Sequence, residues 1–450
     1  MTTGCDVIVV GAGIAGLSAA TSLAEQGARV TVIEARPTLG GRASSYRDPA
    51  TGEVVDNGQH VLIGCYREAF AFLRRIGSES GVRLQSSLEV PYVDRAGERS
   101  TLSCPTLPPP YHLLAGLMEW DALSWADRIS ALRMGSVIRL AQKHLRGRTD
   151  RIAASPEETV EAWLIRNGQR PRLREMLWDP LALAALNQSA GEAAAPAFVR
   201  VLAEMFADDP RAASLGLPDV PLSALFADPA RRFIEERGGT VRSNARATVV
   251  VRNGRVAGVS IRGREEIAGD RVISAVPWHA VSGLFADVPL ALASTLERAG
   301  AMLSCPIVTV NLWFDGRVLD TPFVGLPGRE MQWVFAKEQP GDGTVRHLSL
   351  VSSGAVGIAR QTNDEVIALA MDELRAAIPA ARVATLTRAT VVRERQATFS
   401  LAPGQPARPG AATRLPGFFL AGDWTDTGLP GTIESAAASG HLAAAVCTQG

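Results

Sequence analysis

A chain of 450 residues, 46% hydrophobic and 20% charged, is too long for one simple core and too apolar to be disordered. Its 46 Lys+Arg balance 46 Asp+Glu, which leaves no basic surplus for nucleic-acid phosphates, and no nucleic-acid partner is expected. The five cysteines (Cys5, Cys65, Cys104, Cys305 and Cys447) are odd in number, scattered and without a CxxC pair, which argues against a disulfide framework or metal site and for a reducing cytosol.

Met1 to Asp6 carries no basic leader, and the apolar stretch after it is broken by Gly11, Gly13 and Gly16, so it reads as neither signal peptide nor membrane span. Residues 6–10, Asp-Val-Ile-Val-Val, predict a buried strand of a parallel sheet. A glycine-rich turn follows, then a helix from Ile14 to Gln26 stopped by Gly27, then a strand from Ala28 to Ile33 ending on Glu34. That is one βαβ unit. Further on come Gly40-Gly41-Arg42, a turn at Pro49 to Gly52, the segment Asp56-Asn57-Gly58-Gln59-His60 and a helix over 66–76. After the breaker Pro105 to Pro110 the chain is mostly helical to about 222. Ser124 to Asp127 and Ser155 to Glu158 both read as capping boxes, the second with Pro156 at the first helical position. Strands are predicted near 247–251, 256–261 and 271–276, a second lobe over 281–409, and strand–turn–helix grammar again at 417–446.

Gly11-Ala12-Gly13-Ile14-Ala15-Gly16 sits between strand and helix. Gly11 permits the tight turn, Gly13 lets the backbone approach a pyrophosphate, and Gly16 lets the helix pack close to the sheet. The helix opening at Ile14 and Ala15 offers N–H groups and a positive dipole end to phosphates. Glu34, followed by Ala35, lies at the separation that suits ribose hydroxyls. Gly40-Gly41-Arg42 favours FAD over NAD: the glycines let the chain run along the diphosphate, and Arg42 either pairs with it or braces the loop. A predicted buried strand delivers Gly422 and Asp423 to its end, and Gly431, Thr432 and Ile433 open a helix whose N-terminus faces a flavin edge.

With these residues in place the chain resembles the flavin amine oxidase and phytoene desaturase superfamily, over its whole length and most strongly at its two ends. The strand and helix pattern divides the chain into a discontinuous Rossmann-like FAD-binding domain (1–85, 225–280, 410–450) and an inserted α+β substrate-binding domain (86–224, 281–409), an α/β fold in keeping with the resemblance. The resemblance further implies that Ala247 contacts the adenine through its backbone. Asp56 to His60 with Tyr66-Arg67-Glu68, Trp178-Asp179-Pro180-Leu181-Ala182 with Leu186-Asn187, and Gly422 to Thr425 leading into Gly428 to Glu434 are similar to the hydroxysqualene dehydroxylases of hopanoid synthesis. No cysteine lies near Gly428 to Glu434, so FAD is expected to be held non-covalently.

The reaction so implied protonates the allylic hydroxyl of hydroxysqualene and quenches the cation with hydride from reduced flavin. Gly58 is expected beside the flavin ring. His60 and Gln59 have two readings, proton delivery by His60 or a loop anchored by both; Tyr66 and Asp426 are further candidates for the acid. An apolar substrate implies a cytoplasmic enzyme peripherally attached to the inner face of the membrane. Leu113 to Trp120, with Trp125 beyond, is either the docking patch or a buried helix. With no second GxGxxG in strand context, an external electron donor is expected. A carotenoid-type desaturase, an amine oxidase and a non-catalytic isoprenoid escort protein are the competing readings. An amine oxidase would place a lysine near flavin N5, which is not expected of a chain whose only lysines are Lys143 and Lys337.

Overall fold

The computed structural model describes residues 6–337 and 346–449, so the expectations for Met1 to Cys5 lie outside the described residues. Two sheets organise the chain. The first begins with β1 (Asp6–Val10), α1 (Ile14–Glu25) and β2 (Arg29–Ile33). The apolar β-branched residues of β1 are all buried, as a central parallel strand covered on both faces requires. After α2 (Arg67–Arg75), the strands β3 (Glu89–Val93) and β4 (Arg99–Ser103) form a hairpin.

A helical stretch follows: α3 (Tyr111–Glu119), α4 (Trp125–Leu132), α5 (Met134–Leu145), α6 (Val160–Arg166), α7 (Asp179–Leu186) and α8 (Ala195–Met205). The chain then re-enters the first sheet through β5 (Thr240–Arg242), passes a three-stranded antiparallel meander (Ala247–Arg252, Arg255–Ile261, Glu265–Ala268), and returns as β6 (Arg271–Ser274). The second sheet is completed by β7 (Ser304–Phe314), β8 (Phe323–Gly325), β9 (Trp333–Lys337), β10 (His347–Ser353) and, after α9 (Asn363–Ala377), β11 (Leu386–Phe399). Finally β12 (Phe418–Leu420) and α10 (Ile433–Gln449) rejoin the first.

The first sheet has the order β5-β2-β1-β6-β12 and is parallel throughout. The second runs β11-β7-β10-β9-β8-β3-β4. In β7 the alternate residues Val308, Val310, Leu312 and Phe314 pack with Val366, Ala370 and Leu374 of α9. The pleat therefore turns Thr309, Asn311 and Trp313 to the opposite face. Helix α1 is buried almost end to end, because α10 lies directly on it. Gly440 makes that approach possible: a Cβ there would stand 2.3 Å from the Ala15 carbonyl oxygen. The Ser18 hydroxyl, in the same contact, donates to the Ala437 carbonyl (3.0 Å).

Several sequence expectations change. Ser124 and Asp127 do form a capping box, but Ser155 to Glu158 is a turn. The helix begins at Val160, with the Thr159 hydroxyl accepting from Ala162 N–H, because Val160 N–H bonds Ala193 across the chain (2.9 Å). The strand expected to reach 276 ends at Ser274. Leu113, Leu117 and Trp120 are buried in the helical core at 6%, 7% and 1% exposure, so of the two readings for that segment the buried helix holds. Cys65, Cys104 and Cys305 are free thiols, and Cys447 is buried on α10. Among the described residues no helix is long and apolar enough to cross a membrane.

Candidate functional site

The turn from β1 into α1 is built by steric necessity. Gly11 has φ +104°, and a Cβ on it would meet the Ala275 carbonyl oxygen at 2.8 Å. A Cβ on Gly16 would stand 1.9 Å from the Gly11 oxygen. Gly13 is different: an added Cβ meets nothing within 4 Å. It looks into open space at the N-terminus of α1, beside Ile14 and Ala15, where unpaired helical N–H groups and the dipole favour an anion. Gly40 and Gly41 close this cradle. Gly40 N–H donates to Ala12 O (2.7 Å), Gly40 pairs with Gly13, and Gly41 approaches so closely that its Cβ would lie 3.2 Å from Gly13 Cα.

Glu34 directly follows β2, its carboxylate fixed by two backbone donors, Ala12 N–H and Arg36 N–H, both at 2.8 Å. Each oxygen keeps lone-pair capacity for a hydroxyl. Ala35 is exposed beside it. The main chain joins this corner to the meander, with Ala245 N–H on Glu34 O (2.8 Å), and brings in Ala247, which is buried at 5% exposure.

At the far end, β12 delivers Gly422 and Asp423 beside the same turn. Gly422 has φ +145°, and a Cβ on it would strike the Trp424 ring at 2.5 Å. Asp423 is 3% exposed and receives a bidentate ion pair from Arg42 (2.6 and 3.0 Å), whose guanidinium also donates to the Ala397 carbonyl. Of the two roles open to Arg42, bracing is the one seen. Gly431 packs beside this pair, its Cβ position 3.1 Å from Thr398 and 3.2 Å from the Asp423 carboxylate. Thr432 caps α10 at Ile433 by accepting from Ser435 N–H (3.2 Å).

The segment 56–60 crosses between the two sheets. Asn57 N–H donates to Ser44 O (2.9 Å), and the Cβ position of Gly58 lies 3.6 Å from Thr309 Oγ1 on the polar face of β7. His60 Nδ1 contacts Gly58 O at 3.0 Å, so Nδ1 carries the proton and Nε2 is left as an acceptor. Burial holds this imidazole below the usual histidine value, against the opposing pull of Gly58 O and Asp56; Arg42 and Lys337 push the same way as burial. Gln59 donates to His60 O (3.2 Å), while its Oε1 is buried with no partner among the described residues. An orphaned acceptor here and the open cradle at Gly13 fit a bound group with polar edges at one end and phosphates at the other.

Tyr66 is placed next to Thr432, and burial together with Cys65 and Glu434 pushes its phenol above the usual value, so it remains a neutral donor. Asp426 is exposed and pairs with Arg408 (3.7 Å). For three further residues it is the contacts that the sequence did not reveal, although Asn187 and Glu434 lie in segments that carry the resemblance. Lys337, at the end of β9, pairs with Asp56 (3.2 Å) and so stands beside the segment that carries His60. Glu434 caps α2, accepting from Glu68 N–H (3.0 Å) and Ala69 N–H (2.8 Å), and burial raises its pKa despite those donors. Asn187, in the left-handed region at φ 53°, donates to Cys305 O and Thr398 Oγ1 and thereby ties the end of α7 to the strand beside Gly431. Only capping grammar at Thr432-Ile433-Glu434 could have flagged any of these, and it points to α10, not α2.

A separate cavity of about 270 Å³ opens outside α7, lined by Tyr92, Pro180, Leu183 and Trp333 and rimmed by Glu161, Glu175 and Asp179. Burial, and then Glu161 and Glu175, raise the Asp179 carboxyl above its usual range although Arg174 opposes the shift.

The profile of the family described as flavin containing amine oxidoreductase matches residues 14–448. A hydroxysqualene dehydroxylase of Sinorhizobium fredii is 32% identical over 448 residues, 98% of this chain and 97% of that one. Another from Rhodopseudomonas palustris is 31% identical, with 97% of each chain covered. A 15-cis-phytoene desaturase of Synechococcus elongatus is 25% identical over 97% of this chain and 94% of its own. Among solved structures, cyclohexylamine oxidase from Brevibacterium oxydans shares the fold with a TM-score of 0.72 at 17% identity, covering 99% of both chains.

Proposed function

The chain belongs to the flavin-containing amine oxidoreductase family, and within it we propose an FAD-dependent reductive dehydroxylase that converts hydroxysqualene to squalene in hopanoid synthesis. The observation that carries this reading is the near full-length similarity, at 27–32% identity, to three proteins named hydroxysqualene dehydroxylase. FAD is the cofactor. The residues that would hold it are Gly11, Gly13, Ile14, Ala15 and Gly16 at the diphosphate, with Gly40, Gly41 and the Arg42–Asp423 pair closing over it. Glu34, Ala35 and Ala247 serve the adenosine end, and Gly58, Gln59, His60, Gly422, Gly431, Thr432 and Ile433 the ring end. With no cysteine between Gly428 and Glu434, attachment is non-covalent.

Replacing an allylic hydroxyl by hydrogen needs a proton for the departing oxygen, which leaves as water, and a hydride for the carbon. Reduced FAD, when bound, supplies the hydride. The protein supplies the rest. We assign proton delivery to His60, its ring oriented by the Gly58 carbonyl, with Gln59 bracing the loop through the His60 carbonyl. Because burial keeps the ring neutral near pH 7, His60 acts by taking up a proton transiently at Nε2 and passing it on. The Lys337 ammonium and the Asp56 carboxylate hold the local charge in balance beside it. The substrate's solubility requires peripheral contact with a membrane, and re-reduction of the flavin falls to an external electron donor.

The test is an anaerobic reaction of photoreduced protein with hydroxysqualene, following flavin absorbance and lipid product. Reoxidation with one squalene formed per flavin is expected. Flavin that stays reduced, while the oxidised protein bleaches with carotenoid precursors or amines, would overturn the assignment and leave the family alone standing. Rapid reduction by NADPH alone would remove the need for an external donor.

A further inference from the structure

Helix α4 is inside out. Trp125, Ile129 and Leu132 recur at i, i+4 and i+7, which places them on one face of the helix, and they are 68%, 58% and 48% exposed. The opposite side buries Asp127 and Ser130, each at 5% exposure. That buried polar face is satisfied. Asp127 caps the helix and pairs with Arg170 (3.1 Å), and Gln169 donates to the Ser130 carbonyl (2.8 Å). A helix facing water normally shows the reverse arrangement. The exposure is also concentrated: eight of the seventeen exposed large apolar side chains among the described residues lie between 107 and 165.

The charge beside this stripe is one-sided. Arg133 joins α4 to α5 in right-handed helical conformation (φ −62°, ψ −26°), so the helical phase carries on and the exposed Arg139 and Lys143 follow Leu132 by seven and eleven positions. Residues 125–151 hold seven basic and two acidic residues in a chain whose net charge is zero. Of the seven, Arg146 alone is in an ion pair among the described residues, with Asp208. Arg128 lies over the Trp125 ring at 4.9 Å, a position that carries its charge to the edge of the apolar stripe.

We propose that the outer face of α4 and α5 is a docking surface for an anionic lipid bilayer. Trp125, Ile129 and Leu132 enter the headgroup–acyl boundary, and Arg133, Arg139 and Lys143 engage the headgroup phosphates. A second copy of the chain suits this face less well, because a two-fold contact centred on the stripe brings two basic rims together. The proposal rests on the peripheral membrane contact in the functional reading above and gives it a place: not the buried α3, but the helix after it.

The experiment uses the FAD-loaded full chain and flotation with phosphatidylcholine vesicles, with and without phosphatidylglycerol, in the absence of substrate. Binding that requires phosphatidylglycerol and weakens with salt is expected. The triple variant Trp125→Ser, Ile129→Ser, Leu132→Gln should lower partitioning at least about tenfold. Arg139→Glu with Lys143→Glu should abolish the preference for anionic vesicles. Both variants should keep the flavin spectrum, the melting temperature and turnover of detergent-dispersed substrate, which separates lost docking from lost folding. Unchanged vesicle binding in the triple variant overturns the proposal. So does a wild-type chain that ignores vesicles but self-associates through these residues by sedimentation. Because no turnover is read in flotation, failure of the dehydroxylation reading would leave this result intact, and the converse also holds.

Discussion

Arg42 and Asp423 stand 381 positions apart and meet in a two-bonded ion pair, 2.6 and 3.0 Å, with Asp423 almost wholly buried. The pair fastens the loop after the first βαβ unit to the strand end that completes the sheet. Its consequence for stability is asymmetric, since removing one partner strands a buried charge.

Arg42→Ala is therefore expected to cost roughly 2–3 kcal/mol, discounted for a guanidinium that is partly exposed, and to weaken FAD binding at least about tenfold. Arg42→Ala combined with Asp423→Ala should cost less than the two single changes summed. Thermal melting and flavin titration of the four proteins would show it; additive losses would mean that the pair is not coupled.

Gly13 and Gly16 should separate binding from folding. A Cβ at Gly13 has free space, so Gly13→Ala should melt like the wild-type apoprotein yet bind FAD at least about tenfold more weakly. At Gly16 the Cβ collides with the Gly11 carbonyl at 1.9 Å. Gly16→Ala should lower the melting temperature of the apoprotein itself. Equal melting of the two apoproteins would contradict the geometry.

His347 gives the fold an acid limit. Stacked on Trp313 with ring centres 4.2 Å apart and bonded to Asn311 (2.9 Å), it is held down to about 3 by burial and then by Lys337, against Asp56 and Asp48. The unfolded chain takes up the proton near 6.5, the folded chain only near 3, so between these values the unfolded state binds more protons. Stability is thus expected to fall as pH drops below about 6.5, by about 2 kcal/mol at pH 5 from this residue. His347→Gln should flatten that slope in denaturant titrations at pH 7 and pH 5.

The role given to His60 predicts a pH profile. Asp56 and Gly58 O face it with attraction for a proton, Arg42 and Lys337 with repulsion, and burial dominates to lower its pKa. As the donor it is more protonated at low pH, so the single-turnover rate should rise as pH falls and level off only beneath its lowered pKa, which lies under the usual histidine value. His60→Gln should lose that rise while retaining the flavin spectrum. A His60→Gln variant with an unaltered profile would leave the loop-anchor reading of His60.

The glycine turn was legible because its demands are local: a positive φ at Gly11 and a clash at Gly16 follow from a few consecutive residues. The Arg42–Asp423 pair was not, since neither side chain's partner lies within hundreds of positions. Both Leu113 to Trp120 and Trp125 to Leu132 show apolar residues at helical spacing, and a periodic pattern does not say whether core or lipid covers it. Only the burial of Asp127 and Ser130 on the other side of α4 reveals which way that helix faces. At Ser155 the capping grammar was sound but lost to a tertiary bond, Val160 to Ala193, that sets the helix start. Lys337 was passed over for being one of two lysines, although scarcity says nothing about where a residue is carried by its strand.

Helix α10 lies along α1, and β12 edges the sheet that β1 begins. During synthesis the first strand, turn and helix emerge long before either partner exists. The nascent N-terminal unit must therefore wait with its apolar faces uncovered, open to chaperones and to misassembly. The residues assigned above to the diphosphate are also divided between segments 381 positions apart, at Arg42 and Asp423. On that proposal, cofactor capture waits until both segments have been made, and a shortage of FAD would leave them held together by protein contacts such as the Arg42–Asp423 pair and the packing of α1 on α10.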